Sequence, residues 1–72
     1  PVLIRPIPAT GRVDISVTDG ALGGPLVVRD MMGRIVFDGQ VASLHFSLDI
    51  EGWAPGRYTV WTATGASALM VR

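Results

Sequence analysis

The sequence predicts an all-β protein, a two-sheet antiparallel β-sandwich of about seven strands. Nine glycines and five prolines divide the chain into short runs that are rich in Val, Ile, Leu, Thr and aromatic residues. Several runs alternate apolar and polar residues, as a strand with one buried face does. No segment sustains the period of an amphipathic helix.

The predicted strands cover residues 2–5, 12–18, 26–29, 35–38, 44–50, 57–62 and 66–71. Alternation gives the second strand one apolar face (Val13, Ile15, Val17) and the fifth another (Leu44, Phe46, Leu48, Ile50). In the sixth strand, Tyr58 and Val60 are assigned to the interior, which leaves Trp61 outside.

The 72 residues suffice for one hydrophobic core, and no internal repeat divides them, so residues 1–72 are interpreted as a single domain. The chain begins at Pro1 without an initiator methionine or a signal-peptide pattern. We therefore expect it to be the end of a longer protein. The apolar runs are too short for a membrane-spanning helix.

Charge and composition exclude several classes of function. Six basic residues balance six acidic ones and are scattered along the chain, so no basic patch for nucleic acid or an anionic bilayer is predicted. The absence of cysteine rules out disulfides, thiolate metal sites and a cysteine nucleophile. No cofactor is expected.

Catalysis is not predicted either. His45 is the single histidine and is interpreted as a surface side chain, because one imidazole makes neither a metal site nor a catalytic pair. Asp49 and Glu51 are two residues apart near a strand end, where solvation or capping of a turn is favoured over acid–base chemistry. The serines lack a nucleophile elbow.

A hairpin is predicted at Asp30-Met31-Met32-Gly33. The Asp30 carboxylate suits the first turn position because it can accept from backbone amides, and Gly33 can adopt the left-handed conformation of a bulged loop. Met31 and Met32 either tuck against a neighbouring loop or form a contact surface.

Two tryptophans are candidates for contacts. Trp53 precedes Pro55 and is interpreted as a plug over the open side of the sandwich rather than a ligand platform. For Trp61, stacking on a sugar, packing on a partner protein and covering by a loop of the same domain stay open.

The last run, residues 66–72, carries few charges and is the best candidate for a docking element. If it ends on a sheet edge, its unpaired backbone groups offer a template for strand addition by another chain. The alternative, which is compatible with docking, is a paired strand that completes the sandwich.

The order of these signals resembles the type A C-terminal sorting domain of the Bacteroidetes type IX secretion system. Residues 6–11 match a proline-flanked segment and glycine before the first alternating strand; residues 27–36 match a strand ending in Asp-x-x-Gly, here Asp30 and Gly33. Residues 46–50 match an alternating strand, and residues 54–60 contain the Gly-x-Tyr motif at Gly56 and Tyr58.

The resemblance implies an Ig-like sandwich recognised by an outer-membrane secretion translocon. It also implies transit through the periplasm, then exposure on the outer-membrane surface or secretion; in many members a sortase attaches the passenger to anionic lipopolysaccharide. The expected recognition residues are those of the sixth-strand turn and the tail: Gly56, Tyr58, Leu69, Met70, Val71 and Arg72. The alternatives are an Ig-like adhesion or carbohydrate-binding module and a dimer formed by strand exchange.

Overall fold

The computed structural model describes residues 3–5 and 11–72. They form seven strands and one turn of 3-10 helix: β1 Leu3–Arg5, β2 Arg12–Ser16, η1 Asp19–Ala21, β3 Pro25–Arg29, β4 Ile35–Gln40, β5 His45–Asp49, β6 Gly56–Thr62 and β7 Gly65–Val71. The predicted strands are confirmed, with small shifts at their ends. The proline-flanked segment at residues 6–10 and the first two residues lie outside the described part of the chain.

The strands build two antiparallel sheets, β1-β2-β5 and β4-β3-β6-β7. In chain order these correspond to strands A, B and E of an immunoglobulin-type sandwich and to C′, C, F and G. The predicted β-sandwich is confirmed. Two hairpins are formed by consecutive strands, β3 with β4 and β6 with β7. Two further pairs, β2 with β5 and β3 with β6, join strands that are not consecutive in the chain.

The core lies between the two sheets and is built by alternation along the strands. Val13 and Ile15 of β2 face Val28, Val60 and Leu69 of the second sheet, and all five are fully buried. Tyr58 also points inward, as predicted, and the intervening polar residues of β2 and β5 point outward. The predicted core faces are therefore confirmed.

One end of the sandwich is closed by loops that the sequence analysis left without structure. η1 begins after Thr18 and buries Ala21 completely. Val41, which follows β4, is also buried, and its backbone exchanges hydrogen bonds with the same loop: its N–H donates to the Gly24 carbonyl over 3.0 Å, and its carbonyl accepts from the Gly23 N–H over 2.8 Å. These bonds satisfy backbone groups where the ladder ends.

Replacing Ile15 by Ala tests the alternating pattern. Ile15 is 0% exposed, so the truncation leaves a cavity and should lower the free energy of unfolding by about 2–5 kcal/mol. Leu22→Ala removes the same number of carbon atoms at a side chain that is 52% exposed, and it should change stability by less than about 0.5 kcal/mol. Urea unfolding of both variants is the measurement; equal losses would contradict the assigned faces.

Candidate functional site: an edge strand and a hairpin groove

β7 is the candidate docking strand, and it lies at the edge of the four-stranded sheet. It pairs with β6 along its whole length, from Thr62 opposite Gly65 to Gly56 opposite Val71. No strand of the described residues pairs with its other side. β1 of the first sheet approaches β7 without pairing with it. Alternate backbone groups of β7 therefore point away from the sheet.

β7 differs from the other three edge strands in its composition. It contains neither a charged residue nor proline over seven residues. β1 has three residues and ends at Arg5, and β5 begins at His45 and ends at Asp49. β4 contains Asp38, and its register with β3 shifts at a bulge next to Val28. Charges, shortness and bulges discourage pairing with other chains, and β7 has none of these protections.

The register of β6 with β7 brings together the two segments that the resemblance singled out. Gly56 lies opposite Val71, Arg57 opposite Met70, and Tyr58 opposite Leu69. The sixth-strand turn and the tail therefore form one end of the sheet. Sequence reasoning named both segments without predicting that they are direct neighbours.

The side chains of the tail divide between the interior and the surface. Leu69 is 0% exposed and Val71 is 6% exposed, so both belong to the core. Met70, 41% exposed, and Arg72 point to solvent. A partner that contacts this strand can therefore reach the backbone edge, Met70 and Arg72, whereas the other two side chains act through the fold.

The hairpin between β3 and β4 is organised by Asp30, as predicted. Its Oδ1 atom accepts from the backbone N–H groups of Met32 and Arg34, each over 2.9 Å. Its Oδ2 atom accepts from Arg34 Nε at 2.9 Å, which makes an ion pair. Gly33 has φ of +83°, the left-handed conformation that the bulged loop requires. The turn is fixed by these bonds.

The pKa of the Asp30 carboxyl is set by two opposing effects. Partial removal from water raises its pKa, but the hydrogen bonds from the Arg34 backbone, the Arg34 side chain and the Met32 backbone outweigh this, together with the positive charge of Arg34. The net result is a pKa below the ordinary aspartate value. Asp30 is therefore held in its charged form.

Met31 and Met32 project from this ordered turn into solvent, with 76% and 79% of their surface exposed. They are not tucked against a neighbouring loop, and a role as a contact surface stays a prediction. They line one side of an open groove whose other side is residues 54–58, which lead into and begin β6, and Arg34 and Arg57 also border the groove.

Two aromatic side chains hold residues 54–58, where the loop before β6 passes into the strand. The Tyr58 hydroxyl donates to the Ala54 carbonyl over 2.6 Å, the arrangement called a tyrosine corner in immunoglobulin-like domains. Trp53 packs against the core and against the Tyr58 ring, with centroids 5.2 Å apart. This packing favours the plug interpretation of Trp53. Both walls of the groove are thus ordered by bonds within the domain.

Trp61 lies on the outer face of the four-stranded sheet, as predicted, and is 50% exposed. Its neighbours across the strands are Val27 on β3 and Ala66 on β7. Because Ala66 is small, the indole is open on that side. Packing or stacking by another molecule is sterically available there.

The opposite sheet carries a polar surface with one contact that the sequence analysis missed. The Ser16 hydroxyl and His45 Nδ1 lie 2.9 Å apart because the β2–β5 register places the two residues opposite each other. Ser47 donates to Asp14 over 2.8 Å in the next exposed pair. Asp49 accepts from the Glu51 N–H, so this carboxylate caps a turn, in line with the sequence interpretation.

Other site chemistry is sparse in the described part of the chain. Over residues 3–5 and 11–72, no three His, Cys, Asp or Glu side chains approach closely enough to hold a metal ion. No helix formed by these residues has the length and apolar character needed to cross a bilayer. The ordered features that face solvent are an unprotected strand edge and an apolar, arginine-bordered groove.

These features define a class: a small immunoglobulin-like β-sandwich domain. The particular family follows from comparison with known proteins, in which the family model described as Secretion system C-terminal sorting domain matches residues 3–72. The chain belongs to this family, which confirms the resemblance noted in the sequence. The family is not one of enzymes, and it implies export by the type IX system to the cell surface or the medium. No curated protein and no solved structure matches the chain.

Acidification should loosen the β3–β4 hairpin. Because the pKa of Asp30 is lowered in the folded protein, the charged carboxylate stabilises the fold above the ordinary aspartate pKa, and this contribution disappears as pH falls through the lowered value. The Asp30 carboxyl carbon, followed by NMR, should titrate below the same carbon in a peptide of residues 29–35. The stability difference between wild type and Asp30→Asn should shrink over the same pH range; a midpoint at or above the peptide value would refute the assignment.

Tyr58→Phe tests the corner that holds the loop. The variant keeps the buried ring but leaves the Ala54 carbonyl without its donor, so it should cost about 1 kcal/mol of unfolding free energy. Amide exchange at Ala54, Gly56 and Arg57 should accelerate. Thr59→Ser, on the adjacent outward position, serves as the control; an unchanged stability of Tyr58→Phe would argue against a stabilising corner.

Proposed function

We propose that the domain is a folded secretion and sorting signal that the type IX translocon recognises directly. In this proposal its passenger passes through the periplasm and crosses the outer membrane, after which it is attached to the surface by the sortase machinery or released. Family membership supports the sorting role. The observation that carries direct recognition is that β7 is long and uncharged and lies at the edge of its sheet among the described strands.

Strand addition along β7 is the mode of recognition that this edge favours. An extended segment of the translocon would extend the sheet β4-β3-β6-β7 by one strand. Backbone hydrogen bonds, each with a net contribution of about 0.5–1.5 kcal/mol, would supply affinity. The exposed side chains of Met70 and Arg72 would supply contacts that depend on sequence.

The neighbouring turn at Gly56 extends the proposed recognition surface. Its register opposite Val71 places it beside the end of the docking strand. Tyr58 points into the core, so its contribution is to hold the turn through Ala54 rather than to touch the partner. The recognised unit is thus a shaped end of the sheet and not an unfolded tail.

A charge on the edge tests this function better than removal of the tail. Deleting residues 69–72 removes the buried Leu69 and Val71, so a fall in export could come from unfolding as well as from loss of recognition. Ala68 is exposed on β7, and Ala68→Lys adds a charge that disfavours strand addition while leaving the core intact. Fused to a periplasmic reporter in a host with this system, the variant should deliver at least about tenfold less reporter to the surface, as expected if binding loses about 1.4 kcal/mol.

Ala42→Lys is the matched control, because it makes the same substitution at an exposed alanine outside the edge. It should support normal delivery, and thermal unfolding should show that both variants remain folded. If Ala68→Lys is folded and exported as well as the wild type, recognition through the β7 edge is wrong. If the whole domain can be removed without loss of export, the sorting role itself is wrong.

An adhesion or carbohydrate-binding module is the second candidate, and the exposed indole of Trp61 favours it. Saturable glycan binding that is lost in Trp61→Ala, with export unaffected by Ala68→Lys, would support this alternative. The same edge could instead pair two copies of the domain through β7. Light scattering on wild type and Ala68→Lys distinguishes this case, because a dimer through the edge would dissociate in the variant.

A further inference from the structure

We propose that the groove between residues 30–34 and residues 54–58 binds an extended segment of the secretion machinery in which acidic residues alternate with aliphatic ones. This inference rests on the proposed sorting function and names the chemistry of a second contact. It concerns the groove formed by Met31, Met32, Arg34, Pro55 and Arg57, rather than the edge of β7.

Both walls of the groove are fixed by bonds within the domain. One wall is held by the bonds that Asp30 makes to the backbone of Met32 and Arg34. The other is held by the bond from Tyr58 to Ala54. A preformed groove does not lose conformational entropy through ordering of loops upon association, and that loss would otherwise reduce the affinity.

One of these walls exposes an apolar surface. Met31 and Met32 are the most exposed of the large apolar side chains among the described residues. Turns at the surface usually present polar groups, and the ion pair that orders this one does not need methionine. Flexible thioether side chains adapt to aliphatic groups of varied shape, so an aliphatic residue of a partner is a suitable neighbour.

The charges that border the groove suit an acidic occupant. Two guanidinium groups and one carboxylate border the groove. The Asp30 carboxylate is already occupied by Arg34, at 2.9 Å. Within residues 3–5 and 11–72, Arg57 has no carboxylate within ion-pair distance, and its side chain is exposed. The groove therefore has a net positive charge, which favours acidic residues in the occupant.

The groove lies close to one end of the β7 edge. Arg57 is opposite Met70 in the β6–β7 ladder, so the groove begins where the proposed added strand would end. One partner segment can thus contact the backbone edge and then the groove, and linking two weak contacts raises the overall affinity.

The groove can be tested directly with a designed probe. The 72-residue chain, labelled with ¹⁵N, is titrated with the capped peptide Glu-Leu-Asp-Leu-Glu and with its neutral counterpart Gln-Leu-Asn-Leu-Gln. The acidic peptide should shift the amides of Met31, Met32, Gly33, Gly56 and Arg57 in a saturable manner. The neutral peptide should bind at least about threefold more weakly.

Three variants locate the contact. Arg57→Gln should weaken the acidic peptide at least about threefold, whereas Arg29→Gln, which removes the same charge from an exposed strand position outside the groove, should not. The double variant Met31→Ser/Met32→Ser should weaken both peptides. Absence of saturable shifts at the groove, equal binding of the two peptides, or equal effects of the two arginine variants would each overturn the proposal.

Other occupants produce distinct results. Phosphatidylglycerol vesicles that shift these amides when the peptide does not would assign the groove to a lipid surface. Shifts that grow with protein concentration without peptide would assign it to a second copy. Either result overturns the proposal.

The export assay separates this inference from the function on which it rests. Arg57→Gln and the double methionine variant should reduce reporter delivery severalfold without loss of folding. If both variants are exported normally while removal of the whole domain abolishes export, the groove proposal fails and the sorting function stands. If removal of the domain has no effect, the sorting function fails first.

Discussion

The in-register pairing of β6 with β7 is the constraint on which the rest of the molecule depends. It sets Leu69 beside Tyr58 and Val71 beside Gly56, so the last strand contributes side chains to the core and leaves one backbone edge outside. A slip of one residue would turn Leu69 and Val71 to solvent and bring Met70 and Ala68 inside. The burial of two aliphatic side chains therefore fixes which edge another protein can meet.

Among the edges of the two sheets, only β7 lacks a feature that hinders pairing with another chain, as far as the described strands show. The other edge strands carry a charge, a bulge or only three residues, each of which hinders pairing with a second chain. An uncharged edge of seven residues brings a risk of aggregation, and the proposed strand addition by a partner would cover it. On the outer face of this strand, Ala66 and Ala68 are small and exposed.

Much of the fold could be predicted from local chemistry, because alternation and turn residues act over a few positions. Alternation predicted that Val13 and Ile15 lie on one face of β2, and Asp30 with Gly33 predicted the turn. The pairing of β2 with β5 could not be predicted, because period-two alternation specifies the face of a strand but not its neighbour. For that reason the contact between Ser16 and His45, 29 positions apart, was missed. The burial of Ala21 and Val41 depends on loop closure and was missed for the same reason.

The candidate site contains one feature that a local sequence pattern sets and one that depends on contact between distant segments. Met70 is exposed because it alternates with the buried Leu69 and Val71, whereas the groove arises because the β3–β4 turn and the segment that leads into β6 meet at one end of the sandwich. A backbone edge makes few demands on the sequence of its partner, since every residue except proline offers the same N–H and C=O groups. Selectivity must therefore come from features beside the edge, and the ordered turns that carry Met31, Met32 and Arg57 are placed to provide it. Their side chains can vary without disturbing the core, because the bonds that hold these turns involve Asp30, Gly33 and Tyr58 instead.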